Sequence, residues 1–289
     1  MEEFRRYADK LTDNEPFVII NSLMTDKGLL PTLDEVEKQA KVTDENSFLS
    51  HIANTSILDR NGNTAQYFND KEEYEHYELL QSYQFSLELS KSNLIREIIF
   101  AGIKKGKLNA NVFLSFLQQY SWLGKELEMS SNGGKPIPYC WLALIAPALN
   151  EYFTNLEFYF RNQTNYPNFI LCIDSLSLKI EGMLRDICQF KGITTFELKP
   201  DKKGRTISQE KDIHKLLYEP EIADLINKDD LLFFKFLLVE KAGYNLRHRV
   251  AHSLMTFYEY HINLMNLLIM AVLKFGKYNF VTTKKNERE

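Results

Sequence analysis

Residues 169–190 read FILCIDSLSLKIEGMLRDICQF, and the spacing of their apolar positions decides the fold class. Ile173, Leu176, Ile180, Met183, Leu184 and Ile187 recur every three or four residues, the period of a helix with one buried face. A strand would need strict alternation. Cys172 and Cys188 fall on the apolar side and read as small core residues. Asp174, Lys179, Glu181 and Arg185 make the polar face. Glu181 and Arg185 stand at i, i+4, the spacing of a plain salt bridge. They are equally spaced to position a neighbouring functional side chain.

The same reading extends outward. Residues 141–160 form an apolar helix with Pro147 near its start or at a kink. Further helices are expected at 212–218, 220–227, 229–241, 246–254 and 258–275. Residues 194–208 alternate weakly and read as an exposed loop or a small β-hairpin. Upstream, helices are expected at 17–24, 33–42, 47–54, 93–102 and 109–123, with a turn at 59–63, where Asn and Gly tolerate positive φ. Residues 71–89 carry Tyr74, Tyr77, Leu80 and Gln84 on one stripe with acids opposite. The clearest break is SSNGGKPIP at 130–138. It divides the chain into an N-terminal helical region, 1–130, without an assigned role, a helical domain, 139–278, and a solvated tail, 279–289. The expected class is mainly α.

Composition agrees. With 12 Gly and 8 Pro in 289 residues, turns are few and long helices are favoured over many short strands. A hydrophobic share of 44% excludes a disordered chain, and a net charge of −4 excludes a general nucleic-acid coat. The charge is uneven: residues 1–150 hold 15 Lys and Arg against 21 Asp and Glu, while residues 151–289 hold 20 against 18. If an anionic partner exists it is expected on the second half, the alternative being random drift of charge between the halves. Cys140, Cys172 and Cys188 make neither a disulfide framework nor a zinc motif. The charged N-terminus lacks the apolar core of a signal peptide. The most apolar run, 262–273, is interrupted by Asn263 and Asn266 and is too short to span a bilayer. A soluble, cytoplasmic setting is expected.

One segment concentrates reactive side chains: NLRHRVAHS at 245–253. Leu246, Val250 and Leu254 mark a core face, Asn245 is a favourable N-cap residue, and His248 and His252 share another face. Arg247, just inside the helix start, could serve an anion there. Arg grips phosphate through a fork of donors, and His moves protons near neutral pH. Together they suit attack of an RNA 2′-OH on its own phosphodiester, with His as base and Arg on the developing charge. The His248/His252 spacing also suits a metal, but a zincin needs Glu where Arg249 stands, so no metal is expected. The alternative is a solvated basic helix face. Lys199, Lys202, Lys203 and Arg205, together with Arg249, are the candidate RNA-backbone contacts, against the alternative of a solvated loop. No Walker loop, GxGxxG run or GxSxG elbow is present.

Arg247-His248-x3-His252 resembles the R-φ-x3-H motif of the HEPN superfamily, in which φ is commonly Asn, Asp or His. The surroundings are similar to one branch, the domain of unknown function 4209, through WLALIAPAL at 141–149, CIDSLSLKIEGMLR at 172–185 and YNLRHRVAH at 244–252. The likeness covers roughly residues 139–275. Ser253 stands where that branch often has Gly, and Leu254 where AMPylated HEPN toxins carry Tyr. The resemblance implies a HEPN-like helical bundle preceded by an N-terminal helical subdomain. It implies a metal-independent endoribonuclease of bacterial defence or toxin-like systems, without a cofactor. Arg247 would bind the scissile phosphate, His252 would act as acid and base, and His248 would orient the phosphate. Glu181, Arg185 and Asn245 would support them. Five residues separate Arg247 from His252, about 140° around a helix, so the pairs of two chains in a homodimer would build one composite cleft. RNA is the implied partner, with a regulatory protein left open and no membrane. The other reading is a non-catalytic RNA- or nucleotide-binding or dimerisation module.

Overall fold

The computed structural model describes residues 2–46, 56–58, 64–68, 70–129, 135, 137–162 and 167–278. The expected helix at 47–54, the turn at 59–63, most of the 130–136 break and the tail at 279–289 lie outside these residues. In chain order come α1 (Glu2–Thr12), α2 (Pro16–Thr25), α3 (Leu33–Asn46), β1 (Ser56–Leu58), β2 (Thr64–Tyr67), α4 (Lys71–Ser86), α5 (Ser92–Lys104) and α6 (Ala110–Tyr120). They are followed by β3 (Leu127–Met129), β4 (Ile137–Tyr139), α7 (Trp141–Asn162), α8 (Ile170–Phe190), β5 (Phe196–Pro200) and β6 (Thr206–Glu210). The remainder is α9 (Ile213–Leu217), α10 (Pro220–Leu225), α11 (Lys228–Leu238), α12 (Leu246–Ala251) and α13 (Ile262–Gly276). The fold is mainly α. The strands among the described residues form antiparallel pairs, β1 with β2, β3 with β4 and β5 with β6.

Local chemistry explains many of the helix starts. Asp70, Asn109, Asp212 and Asn227 each accept a backbone N–H of the following turn, satisfying donors that a helix start leaves open. Pro16 and Pro220 occupy first-turn positions, where a missing N–H costs nothing. A π-turn, Leu87–Lys91, carries α4 directly into α5.

The helix at 169–190 forms as its spacing requires. Ile173, Leu176, Ile180, Met183, Leu184 and Ile187 are fully buried on α8, as are Cys172 and Cys188. Burial pushes the Cys172 thiol up to about 12 and that of Cys188 up to about 11, as inert core thiols require. Helix α8 packs on α7, α9, α12 and α13. Helix α13 is buried from Leu264 to Gly276, and it packs on α2 and α5 as well as on α8 and α11. Trp122, from the first half of the chain, donates its indole N–H to the carbonyl of Phe275 at 2.9 Å. Helices from both sides of the 130–138 break thus share one core. The polar interruption of α13 has a role: Asn266 Oδ1 accepts from buried Tyr152 at 2.6 Å. No helix among the described residues is long and apolar enough to cross a membrane.

Several expectations are corrected. Helix α1 is an addition to the expected elements: it lays Phe4, Ala8, Leu11 and Thr12 inward on one stripe and turns its charged residues to solvent. Of the expected stripe on α4, Leu80 is buried and Tyr74, Tyr77 and Gln84 are half-buried, while Tyr83 and Leu87 complete the buried face. Helix α12 ends at Ala251, and Ser253 adopts a left-handed φ of 54°. Leu254 is therefore 54% exposed instead of extending the core face of Leu246 and Val250. Residues 194–208 form the hairpin alternative, with Phe196 opposite Glu210 and Pro200 opposite Thr206.

Contact between α7 and α8 runs through Gly182. A Cβ there would lie 2.6 Å from Trp141 Cη2. Trp141 is 6% exposed, and its indole N–H is held by Asp186 at 2.7 Å, so the ring has no room to swing. Gly182→Ala is expected to destabilise the protein by about 1–3 kcal/mol through overpacking, read as a lower urea midpoint at unchanged m-value. An unchanged midpoint would show that the helices separate freely.

Candidate functional site

The site begins at a tight return between α11 and α12. The Tyr244 N–H bonds back to the Phe236 carbonyl at 3.0 Å, and a Cβ on Gly243 would lie 2.2 Å from that same oxygen. Asn245 follows with φ 44° and ψ 41°. This corrects the expectation of a side-chain cap. Asn245 stands at the N-cap position, but its left-handed backbone turns the chain and its side chain caps nothing. Leu246 is buried and presses α12 onto α8. At the other end, the Leu254 N–H bonds to the Arg249 carbonyl at 2.8 Å and closes the helix after six residues.

Arg247 does not wait at a helix start for an anion. Its Nε donates to Glu181 Oε2 at 2.5 Å, while Glu181 Oε1 accepts from Arg185 Nη2 at 2.7 Å. The i, i+4 salt bridge of α8 is therefore also the tether of Arg247. Arg185 further donates to the Lys211 carbonyl at 2.6 Å and lies 3.3 Å from Glu210, at the root of the β5–β6 hairpin. The Glu181 side chain is only 11% exposed, and Arg247 is 34% exposed. Arg185 thus shares its charge between Glu181 and Glu210, and among the described residues the Nη nitrogens of Arg247 have no hydrogen-bond partner.

His248 and His252 are both exposed, with ring centroids 4.5 Å apart. The pKa of His248 is lowered by partial burial first, then by His252, Arg247 and Lys241. His248 and Arg247 line a depression of about 290 Å³ with Asn245, Asp212, His214 and Lys241. His252 does not line it. It takes the C-cap position of α12 and sits on the outer side of His248. Nothing in the sequence singled out His214, which is 33 residues from Arg247 and reaches the depression only through the packing of α9. Its ring stacks on Tyr218 at 4.6 Å.

The expected RNA contacts divide. Arg249 is ion-paired with Glu259, whose other oxygen accepts from the Thr256 N–H at 2.7 Å and its hydroxyl at 2.8 Å. Arg249 thus ties down the segment after α12. Lys199 pairs with Glu197 at 2.7 Å, and Arg205 with Asp201 at 2.7 Å, within the hairpin. Lys202 and Lys203 stand exposed at its turn without an ion pair among the described residues. On α8, Asp174 accepts from the Tyr260 hydroxyl at 2.9 Å, and burial followed by Asp174 pushes that phenol up to about 12. Beyond α12, Leu254, Phe257 and Tyr258 are 54%, 69% and 88% exposed. Among the described residues, no three His, Cys, Asp or Glu side chains are grouped to hold a metal ion. No protein-family model matches the chain, and neither does any curated protein or solved structure.

Two outcomes test this geometry. Glu181→Gln leaves two guanidiniums facing a neutral amide, and a loss of about 2–3 kcal/mol is expected by chemical denaturation; a neutral result would mean that the pair is solvent-satisfied. Arg247→Ala removes a cation beside His248. Its imidazole should then titrate higher in an NMR titration, and a downward or absent shift would contradict the placement.

Proposed function

We propose that the chain is a HEPN-type, metal-independent endoribonuclease acting in bacterial defence or a toxin-like system, with Arg247, His248 and His252 as its reactive group. The observation that carries this reading is the state of Arg247. Its Nε is fixed on a nearly buried carboxylate while its Nη edge is unengaged beside the exposed imidazole of His248, whose ring lies 4.5 Å from that of His252. A guanidinium aimed in this way keeps a two-donor edge for a phosphate without the cost of ordering it on binding.

In the proposed reaction, an imidazole removes the 2′-OH proton and O2′ attacks the adjacent phosphorus. The bond from phosphorus to O5′ breaks, and a protonated imidazole returns a proton to the leaving oxygen. The products are a 2′,3′-cyclic phosphate and a 5′-hydroxyl. Arg247 stabilises the charge gathering on the phosphoryl oxygens. His252 is the acid and base. His248, held neutral to lower pH, is suited to accept or donate a hydrogen bond that orients the substrate. Lys202 and Lys203 extend the cationic surface along the hairpin that Arg185 anchors beside the site.

A homodimer fits the neighbouring surface. Leu254, Phe257 and Tyr258 form an exposed apolar patch directly after His252, where a two-fold partner could bury it. Two copies meeting there would bring two Arg/His sets to one cleft. The second reading, a non-catalytic RNA-binding or dimerisation module, is favoured by one observation: Glu181 neutralises part of the Arg247 charge.

The two readings separate in an RNA cleavage assay in EDTA. Wild type is expected to leave 2′,3′-cyclic phosphate ends and to spare DNA. Arg247→Ala and His252→Ala should each lose about 100-fold or more in rate while staying folded. Wild-type rates in both variants would overturn the assignment, and binding without cleavage by wild type would favour the module.

A further inference from the structure

A second cleft lies where helices of the region without an assigned role meet α7. It is bounded by α1, α5 and α7, holds about 730 Å³, and none of Arg247, His248 and His252 lines it. That volume falls within the range of small-molecule sites, roughly 300–1,000 Å³. Its lining is of two kinds. Leu156, Phe100 and Tyr159 supply apolar and aromatic surface, and Arg5, Arg96 and Lys104 supply positive charge.

The cations are short of partners. Arg96 Nη2 and Arg5 Nε both reach the one carboxylate of Glu97, each at 3.5 Å, the outer limit of a hydrogen bond. The Arg96 side chain is 24% exposed, so water reaches only part of its donor fork. Each guanidinium carries about five N–H donors, and among the described residues Glu97 is the acid these two share. Lys104 has no ion pair among the described residues, and its ammonium lies 5.0 Å from the Phe160 ring centre. By contrast, Lys105, which also lines the cleft, is paired with Asp9 and Asp13. Four cations, Arg5, Arg96, Lys104 and Lys105, against two acids, Asp9 and Glu97, give the cleft a positive excess in the half of the chain whose net charge is negative. Arg96, 24% exposed, and Arg5, 67% exposed, hold their shared carboxylate only at the outer limit of a hydrogen bond, which leaves donors of both for an anion with several oxygens. The adjoining Phe100 and Tyr159 rings call for a flat, apolar group on the same molecule.

We propose that this cleft binds a nucleoside phosphate, with its phosphates at Arg5, Arg96 and Lys104 and its base on the Phe100–Tyr159 side. The inference does not depend on the ribonuclease reading. It is tested by calorimetric titration of the full chain, in EDTA, with the four ribonucleoside 5′-monophosphates and 5′-triphosphates. Inorganic pyrophosphate and adenosine serve as half-ligands. At least one nucleotide is expected to bind with Kd below about 1 mM, and both half-ligands to bind at least about tenfold more weakly. Arg96→Gln and Lys104→Gln should each weaken the nucleotide by about tenfold, the loss of one charge-assisted contact. Arg247→Ala should leave Kd unchanged. The proposal is overturned if no nucleotide binds, if pyrophosphate binds as well as the nucleotides, or if Kd survives both cleft substitutions. It is equally overturned if Arg247→Ala abolishes binding, which would place the nucleotide at α12. Should Arg96→Gln fail to fold, Lys104→Gln, at an exposed position, decides alone.

Discussion

A carboxylate with 11% of its side chain exposed cannot be left unpaired on α8, because removing a charge from water costs several kcal/mol unless partners replace the solvent. Glu181 answers this with one oxygen on Arg185 and the other on Arg247. Arg185 carries the network onward to the Lys211 carbonyl and to Glu210. One buried charge therefore joins the central helix, the base of the β5–β6 hairpin and the first turn of α12. The hairpin and the Arg247 segment are distant in sequence, and this ion network gives them a common position. It also fixes which edge of Arg247 is left open.

The brevity of α12 is the second constraint. A left-handed Asn245 starts it and a left-handed Ser253 follows its end. A longer helix would have carried Leu254 into the core and His252 around the axis. Instead, Arg247 turns toward α8, while His252 stands outward beside His248 and the chain emerges with Leu254, Phe257 and Tyr258 exposed. The reactive groups and the apolar patch are thus neighbours because the same break produces both. Arg249, read from the sequence as part of the basic face, holds that emerging segment through Glu259.

Elements with dense apolar spacing were legible in advance. Helices α7, α8 and α13 bury enough aliphatic side chains for their period to stand out over fifteen or more residues. Helix α1 was legible in principle from the spacing of Phe4, Ala8 and Leu11, but its mostly charged composition masks that stripe, which packs on α5. The π-turn at 87–91 was hidden, because a single widened turn leaves no compositional mark. In the candidate site, the clustering of Arg247, His248 and His252 was visible from six residues of sequence. The charge partners were not, except for the local Glu181–Arg185 pair, because ion pairing between elements depends on which faces meet in space.

By itself the sequence determined that this is a mainly α protein, that α8 has one apolar and one polar face, and that two histidines and two arginines share one short segment. Those properties are periodic or local, and a period of three to four residues survives whatever the helix later packs against. Tertiary structure alone decided that Arg247 is held and Arg249 is occupied, that His214 and Lys241 join the depression beside His248, and that Arg5, Arg96 and Lys104 converge on one cleft. The physical reason is that a charge is made available or silent by the groups brought within a few ångströms of it, and in a helical bundle most of those groups arrive from other helices.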